Sequence, residues 1–348
     1  MISMSLSRLN RNKIGLLFFG LVFVLILFIL LDLLLGSVSV SFQNFFAFVS
    51  GNNVDDPVAR QILLNFRLPK TITAVLAGSA LAVSGLQMQT IFRNPLAGPY
   101  VLGISSGASL GVALVVLGLS AFALPLWVSQ LGIITAALLG SMLVLMLILA
   151  LSVRIKDIMT ILIIGMMFGS AASAVVSILQ YFSNESMLRS FVIWTMGSLG
   201  SVTGIQLWYF ALLAFIGLFL GLLLVRPLNV IYLGENYARN LGMKVGQVRL
   251  LVFISTSLLA GATTAFCGPI GFIGIAVPHI VRLIFKTSNH VILLPATILM
   301  GAIVLLICDI ISQLPGMSFT LPINSIAALM GIPVVIYVVI KNKRFSGM

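Results

Sequence analysis

Charged side chains are scarce in this chain of 348 residues, since Asp, Glu, Lys and Arg together make up 7% of it. A typical soluble domain has about 25%. Only 7 residues are acidic. This scarcity excludes an ordinary cytosolic enzyme, a disordered protein and a nucleic-acid-binding module. The two cysteines, Cys267 and Cys308, lie in apolar runs and cannot form a secreted-type disulfide framework.

Motifs of catalysis and metal binding are also missing. The sequence has no G-x-x-x-x-G-K-[ST] phosphate loop, no nucleophile elbow and no cysteine–histidine cluster. His279 and His290 stand alone, without metal-ligand spacing. We therefore expect no enzymatic activity, no cofactor and no metal site, and any ATP that drives this protein must be hydrolysed on separate subunits.

Hydrophobic residues make up 60% of the chain. A helix that crosses a bilayer needs roughly 20 mostly apolar residues, and long apolar runs become helices because lipid cannot satisfy backbone polar groups. The sequence predicts an all-α polytopic membrane protein, with residues 1–348 forming a single transmembrane domain. Ten spans are expected at about 14–35, 63–90, 98–119, 130–152, 158–182, 205–225, 247–267, 270–286, 291–312 and 323–340.

The 19 Lys and Arg residues predict the orientation, because basic residues accumulate on the cytoplasmic side. With ten spans, one side receives fifteen of them and the other receives only Arg60, Arg67, Lys70 and Arg189. Both termini are therefore predicted to be cytoplasmic. The excess of positive charge is explained by topology and requires no nucleic-acid partner.

Residues 76–85 and 259–268 resemble each other, with five of ten positions identical. The first copy lies in the predicted span 2 and the second in span 7, which run in opposite directions. This arrangement favours an inverted repeat of the kind that many transporters use. A chance match between small apolar residues is the alternative.

Span 3 carries Gly103, Gly107 and Gly111, and span 5 carries Gly165 and Gly169. Such small-residue faces let helix backbones approach closely in lipid. Packing within the chain is the simpler interpretation, and a subunit interface or pore-lining face is the alternative.

The longest cytoplasmic insertion joins spans 6 and 7, and the stretch 234–242 within it predicts a short helix. Glu235 and Arg239 form an i,i+4 pair, and Gly242 is a natural helix stop. This segment is either a helix on the membrane surface or a docking element for a cytoplasmic partner.

Two acids, Asp32 and Asp309, fall within predicted spans near their outer ends. An acid within the membrane is a functional candidate by default. At this depth a structural bond to the backbone or to a neighbouring helix is the simpler interpretation.

Several segments, in their order along the chain, resemble the permeases of bacterial ABC importers for iron-siderophore, haem and cobalamin, the type II importers. The segments that carry the resemblance are 67–70 (RLPK), 82–89 (AVSGLQMQ), 93–99 (RNPLAGP), 103–108 (GISSGA), 194–199 (WTMGSL), 234–242, 268–274 (GPIGFIG) with Pro278 and His279, and 321–324 (LPIN).

The resemblance implies a permease in the bacterial cytoplasmic (inner) membrane that pairs with a second permease, identical or homologous. It also implies two cytoplasmic ATPase subunits and an extracytoplasmic substrate-binding protein as partners. A cytoplasmic segment, here about 227–245, would couple the permease to the ATPases. The residues expected to carry this coupling are Gly234, Glu235, Ala238, Arg239, Leu241 and Gly242.

The resemblance further implies that Arg67 and Lys70 dock the binding protein and that a cytoplasmic gate lies near Met159 and Thr160. Two positions depart from the family pattern. Thr320 stands where a Glu is usual, and Gln313 stands where an Arg is usual. Docking is therefore expected to depend more on Arg67 and Lys70, with Arg60 and Arg189 as further candidates.

The expected function is import of a bulky iron chelate, with a ferric siderophore first and haem or cobalamin as alternatives. A secondary transporter driven by an ion gradient is the alternative from another class. It would need paired carboxylates at mid-membrane, and Asp309 is a lone candidate near one end. An intramembrane enzyme would need paired catalytic groups, and the sequence offers no such constellation.

Overall fold

The structure is a computed structural model that describes residues 11–36, 38, 40–54, 56–118, 126–155, 157–313 and 320–343. Arg8, Lys156 and Arg344, which contributed to the predicted orientation, lie outside the described residues.

The described residues form helices joined by turns. The α-helices are α1 (Arg11–Leu34), α2 (Phe42–Val49), α3 (Pro57–Gln61), α4 (Leu68–Ile91), α5 (Ile104–Ala113), α6 (Leu126–Arg154), α7 (Ile158–Phe182), α8 (Glu185–Met196), α9 (Ile205–Leu223), α10 (Val225–Leu233), α11 (Glu235–Asn240), α12 (Val245–Cys267), α13 (Ile273–Phe285), α14 (His290–Ser312) and α15 (Ile323–Lys343). A π-helical segment, Ile62–Arg67, joins α3 to α4, and another, Leu114–Gly118, extends α5.

Every predicted span contains an apolar helix. Within the described residues, seven of these helices are long and apolar enough to cross a membrane, and three are shorter: Ile104–Gly118, Ile273–Phe285 and Ile323–Val338. Span 3 is shortened because its first turn is a separate 3₁₀ helix that ends at Gly103, whose φ is +77°. The crossing number of ten and the cytoplasmic termini remain predictions.

Two helices outside the predicted spans, α2 and α8, are short. Helix α2 begins where the Ser41 hydroxyl accepts a hydrogen bond from the backbone N–H of Asn44, a common helix cap. Helix α8 begins after Asn184 and ends at Gly197, whose φ is +75°. Eight to twelve residues cannot cross a bilayer, which is why a search for long apolar runs misses them.

The centre of the bundle is built from α4 and α12. Their apolar stretches are 83% and 78% buried, whereas the stretch in α1 is only 6% buried. A side chain on Gly85 of α4 would collide with the backbone of Gly274 in α13, and one on Gly78 would collide with the carbonyl of Gly301 in α14. Small residues thus place helices in the centre because they permit backbone contact where lipid provides no hydrophobic driving force.

The glycines of spans 3 and 5 serve the same purpose. Gly107 lies against the carbonyl of Gly140 in α6, and Gly111 lies against that of Ala136. Gly103 packs against Gly165 of α7. The prediction of close packing within the chain is confirmed at these positions.

Helix contacts repeat between the two halves of the chain. Helix α4 packs on α14 as α12 packs on α6, and α5 packs on α7 as α13 packs on α15. Helix α5 also packs on α6 as α13 packs on α14. Each pair maps onto its counterpart when spans 2–5 are equated with spans 7–10. This pattern supports an internal repeat, and its inversion follows only from the predicted topology.

Candidate functional site

The short helix α11 lies between α10 and α12, where the sequence predicted it. Gly234 separates α10 from α11 with a φ of +140°, and Gly242 follows α11 with a φ of +79°. Both conformations are open to glycine and rare for residues that carry a Cβ. The two glycines therefore set where α11 begins and how the chain turns into α12.

Helix α11 is fixed to the bundle by charge and packing. The Glu235 carboxylate lies 2.6 Å from Arg249 of α12 and 3.5 Å from Arg239, so the predicted i,i+4 pair is the longer of its two ion pairs. Ala238, on the opposite side of α11 from solvent, is fully buried. Arg93 donates a hydrogen bond of 3.1 Å to the carbonyl of Ile231 at the end of α10.

The sequence did not single out Arg249 as a partner of α11. Its side chain is 6% exposed, and a buried charge requires a partner. The available signal was one arginine in the first two turns of a helix that carries no other charged residue.

Two large apolar side chains are exposed on α11 and directly after it. Tyr237 is 51% exposed and Leu241 is 61% exposed. They belong to the segment that the orientation rule predicts to be cytoplasmic. Exposed apolar side chains that lie together in water mark a contact surface for a partner.

Met159 and Thr160 form the first turn of α7. Asp157 caps this turn, because its carboxylate accepts hydrogen bonds from the N–H groups of Met159 and Thr160 at 3.3 and 2.9 Å and from the Thr160 hydroxyl at 2.6 Å. The hydrogen bond from the Thr160 hydroxyl contributes most to holding the pKa of Asp157 below its ordinary value. The two backbone hydrogen bonds and the charge of Arg249 lower this pKa further. Arg249 thus pairs with the acid of α11 and acts electrostatically on the acid that caps α7.

A buried charge cluster occupies the other end of the bundle. Lys70 of α4 lies 2.7 Å from Asp309 of α14, and the two side chains are 8% and 4% exposed. The Thr71 hydroxyl donates a hydrogen bond of 2.5 Å to Asp32 of α1. Asp309 is therefore part of a structural ion pair, as the simpler interpretation expected.

Arg67 is also held inside the protein. It donates hydrogen bonds to the carbonyls of Leu33 and Leu34 at 2.8 and 2.6 Å and to that of Val38, and it is 5% exposed. The guanidinium presents several N–H donors in a fixed fork, which suits binding to several carbonyl acceptors. Arg67 thereby ties the C-terminal end of α1 to the start of α4.

These contacts bear on the predicted docking role of Arg67 and Lys70. In this conformation both cations are committed to internal partners. They line a cavity of about 360 Å³ together with Gln313 and Thr320, the two positions that depart from the family pattern. The structure thus brings Arg67, Lys70, Gln313 and Thr320 together around one cavity. Contact of the two cations with the binding protein stays a prediction.

Known proteins resemble this chain over most of its length. Residues 24–341 match the model of the FecCD transport family. The vitamin B12 import system permease protein BtuC of Citrobacter koseri is 39% identical over 279 residues, which cover 80% of this chain and 82% of that protein. The hemin transport system permease protein HmuU of Yersinia pestis is 36% identical over 326 residues, which cover 92% and 95%.

Solved structures share the fold. A solved structure described as "An inward-facing conformation of a putative metal-chelate type ABC transporter" is 32% identical and superimposes with a TM-score of 0.82, covering 94% of this chain and 99% of that one. The PsaBC structure from Streptococcus pneumoniae, 17% identical with a TM-score of 0.54 and coverage of 80% and 93%, shares the fold alone. With its helical membrane architecture, its close-packed glycines and a family match spanning nearly the whole sequence, the chain belongs to the FecCD transport family.

Proposed function

We propose that this chain is the permease subunit of an ATP-driven importer that carries a bulky metal chelate, foremost a ferric siderophore, across the bacterial cytoplasmic (inner) membrane. Membership of the FecCD transport family supports the transport class. Relatives named for vitamin B12 and hemin support a bulky chelate and keep cobalamin and haem as the alternative cargoes.

One observation carries the assignment of an energy-coupling surface: α11 is anchored to α12 by the Glu235–Arg249 pair, while Tyr237 on α11 and Leu241 directly after it stay exposed. Two cytoplasmic ATPase subunits would supply the complementary surfaces, one for each permease. Glu235 and Ala238 face inward and fix the helix, while Gly234 and Gly242 set its ends. A force on α11 would then move the bundle rather than bend a loop.

Arg249 offers a route from this surface to the proposed gate. Its guanidinium pairs with Glu235 of α11 and acts electrostatically on Asp157, which caps the turn containing Met159 and Thr160. Displacement of α11 by an ATPase would therefore change the charge environment at the start of α7. We assign Arg249 as a positioning residue in this coupling.

The second permease is proposed to cover the open face of α7. The apolar stretch of this helix is only 22% buried, yet Ser170, Ser173 and Ser177 lie exposed along one side. Their hydroxyls donate to backbone carbonyls four residues earlier in α7. A hydroxyl stripe is better suited to a pathway between two permeases than to lipid.

The described residues offer little support for a mechanism driven by an ion gradient, which would need paired carboxylates at mid-membrane. Asp32 and Asp309 do lie together, but they lie at helix ends beside Lys70 rather than at mid-membrane. Uptake that persisted without ATP and collapsed with the ion gradient would favour that mechanism over the proposed one.

The coupling surface is tested by Tyr237→Asp combined with Leu241→Asp. Loss of an apolar contact at an interface costs about 2 kcal/mol at a strong position, and 1.4 kcal/mol is a factor of ten. We expect at least a tenfold loss of cargo-stimulated ATP hydrolysis and of uptake in vesicles that contain the permease, its ATPases and the binding protein.

Tyr237→Phe combined with Leu241→Met is the matched control, since it keeps the apolar area and should retain activity. The isolated permease should hydrolyse no ATP. Unchanged activity in the aspartate variant, or robust hydrolysis by the isolated chain, would refute the proposal.

Docking of the binding protein is tested at two exposed cations, Arg60 and Arg189, which the predicted topology places outside. Reversing both to Glu should slow association and weaken its salt dependence, because an exposed pair is worth only about 0.2–1 kcal/mol but steers encounter. Association rates at two salt concentrations provide the measurement. If the double reversal has no effect, Arg60 and Arg189 do not dock the binding protein. The docking role would then fall to Arg67 and Lys70, which would first have to leave their internal partners.

A further inference from the structure

A basic cavity of about 590 Å³ opens at the cytoplasmic end of the seam between α6 and α12. It is lined by Ser152 of α6, by Arg239 and Lys244 of the coupling segment, and by the start of α12 up to Arg249 and Leu250. Ser152 is the last residue of the predicted span 4, and residues 244–250 include the start of the predicted span 7. The predicted topology therefore places the cavity at the depth of phospholipid headgroups.

The charge of this cavity is positive. Three cations face it: Arg239, Lys244 and Arg249. Two acids oppose them, since Glu235 pairs with both arginines and Asp157 lies near Arg249. Lys244 precedes the first residue of α12, so the positive end of that helix dipole adds to the excess. The cavity is therefore suited to an anion.

An apolar groove of about 470 Å³ continues the same seam into the membrane. Its walls are mainly Leu, Ile and Met side chains of α6 and α12 with Leu213 of α9, and Ser141, Ser257 and Ala262 complete the lining. One helical turn separates Leu149 of the groove from Ser152 of the cavity, and one turn separates Leu250 of the cavity from Ile254 of the groove. The two spaces thus adjoin on both helices.

The length of the groove corresponds to one lipid leaflet. From Leu138 to Leu149 a helix rises about 16 Å. Half of a hydrocarbon core is about 15 Å. A groove of this depth, with mainly apolar walls and with cations at its cytoplasmic end, matches an acyl chain joined to a phosphate.

We propose that this seam binds an anionic phospholipid of the cytoplasmic leaflet, with the headgroup phosphate among Arg239, Lys244 and Arg249 and one acyl chain between α6 and α12. A free phosphate would use the basic cavity and leave the groove empty. The continuity of the two spaces favours the lipid. Basic pockets between helices on the cytoplasmic side are known to recognise anionic headgroups. The inference depends on the predicted orientation and on neither the cargo nor the ATPases.

The test uses the full-length permease in nanodiscs of equal phosphatidylglycerol and phosphatidylcholine, followed by extraction into mild detergent and native mass spectrometry of retained lipids. We expect selective retention of phosphatidylglycerol and at least a threefold loss of that retention in Lys244→Gln. Lys286→Gln is the matched control, since Lys286 is exposed at the end of α13 and does not line the cavity. Equal retention in both variants would overturn the proposal.

A second variant, Met142→Trp, fills the groove and leaves every charge in place. It should reduce retention as strongly as Lys244→Gln does, whereas Met167→Trp on the exposed face of α7 should not. Inorganic phosphate at millimolar concentration should displace little phosphatidylglycerol. Displacement by phosphate, or full retention with the groove filled, would contradict a lipid site.

Discussion

Replacing Lys70 with methionine is expected to destabilise the protein by about 3–5 kcal/mol, the usual result when one partner of a buried ion pair is removed. The ammonium of Lys70 lies 2.7 Å from Asp309, and both side chains are more than nine-tenths buried. Asp32 stands beside them. Without Lys70, the Asp309 carboxylate would lose its ion-pair partner in a space that water barely reaches.

The measurement is thermal or denaturant unfolding of the purified permease in detergent. Lys286→Met is the control, because Lys286 is exposed at a helix end, and its loss should cost under about 1 kcal/mol. Lys70→Met combined with Asp309→Leu should recover most of the lost stability, since the pair is then removed as a unit.

A docking role for Lys70 predicts a different outcome. Lys70→Met would then fold as stably as the wild type and fail only in binding-protein association. Normal stability of the single variant, or a double variant no more stable than the single one, would show that the ion pair does not hold this end of the bundle.

Replacing Gly85 with valine is expected to cost at least about 3 kcal/mol, at or above the upper end of the range for an overpacked core. A Cβ on Gly85 would lie inside the backbone of Gly274, and main-chain atoms cannot move aside as a flexible side chain can. Helix α4 would have to separate from α13, at the centre of the bundle.

The matched comparison is Gly20→Ala in α1, where no heavy atom lies within 4 Å of the added Cβ. Alanine is a better helix former than glycine by about 1 kcal/mol, so this variant should be as stable as the wild type or slightly more so. Folded yield and melting temperature of the two variants distinguish them. A Gly85→Val protein that melts like Gly20→Ala would contradict the close approach of α4 and α13.

Long helices could be predicted from the sequence because their signal is local. An apolar run about as long as a bilayer is thick must satisfy its own backbone, so α6, α7 and α14 begin and end within a few residues of the expected bounds. Short helices such as α2 and α8 lack this constraint and were not predicted. The break before α5 depends on one glycine with a positive φ, which a hydrophobic profile does not reveal.

The candidate site was predictable in the same local sense. Two glycines and an i,i+4 pair identified α11. The identity of its principal anchor was not predictable, because Arg249 reaches Glu235 only when α12 folds back beside α11. Likewise Asp157 follows a simple capping rule, yet its proximity to Arg249 depends on two separate helices meeting.

Composition alone determined that this protein lies in a membrane, since a chain with so few charges and so many apolar residues cannot be stable in water. The distribution of its basic residues indicated which end faces the cytoplasm. Only the tertiary structure decided what Arg67 and Lys70 do in the folded chain. Their sequence context is typical of an exposed basic pair. In the folded chain, carbonyls at the end of α1 accept hydrogen bonds from Arg67, and the Asp309 carboxylate near the end of α14 pairs with Lys70. Whether a cation faces water or an internal partner depends on which distant segments pack against it, and local sequence does not contain that information.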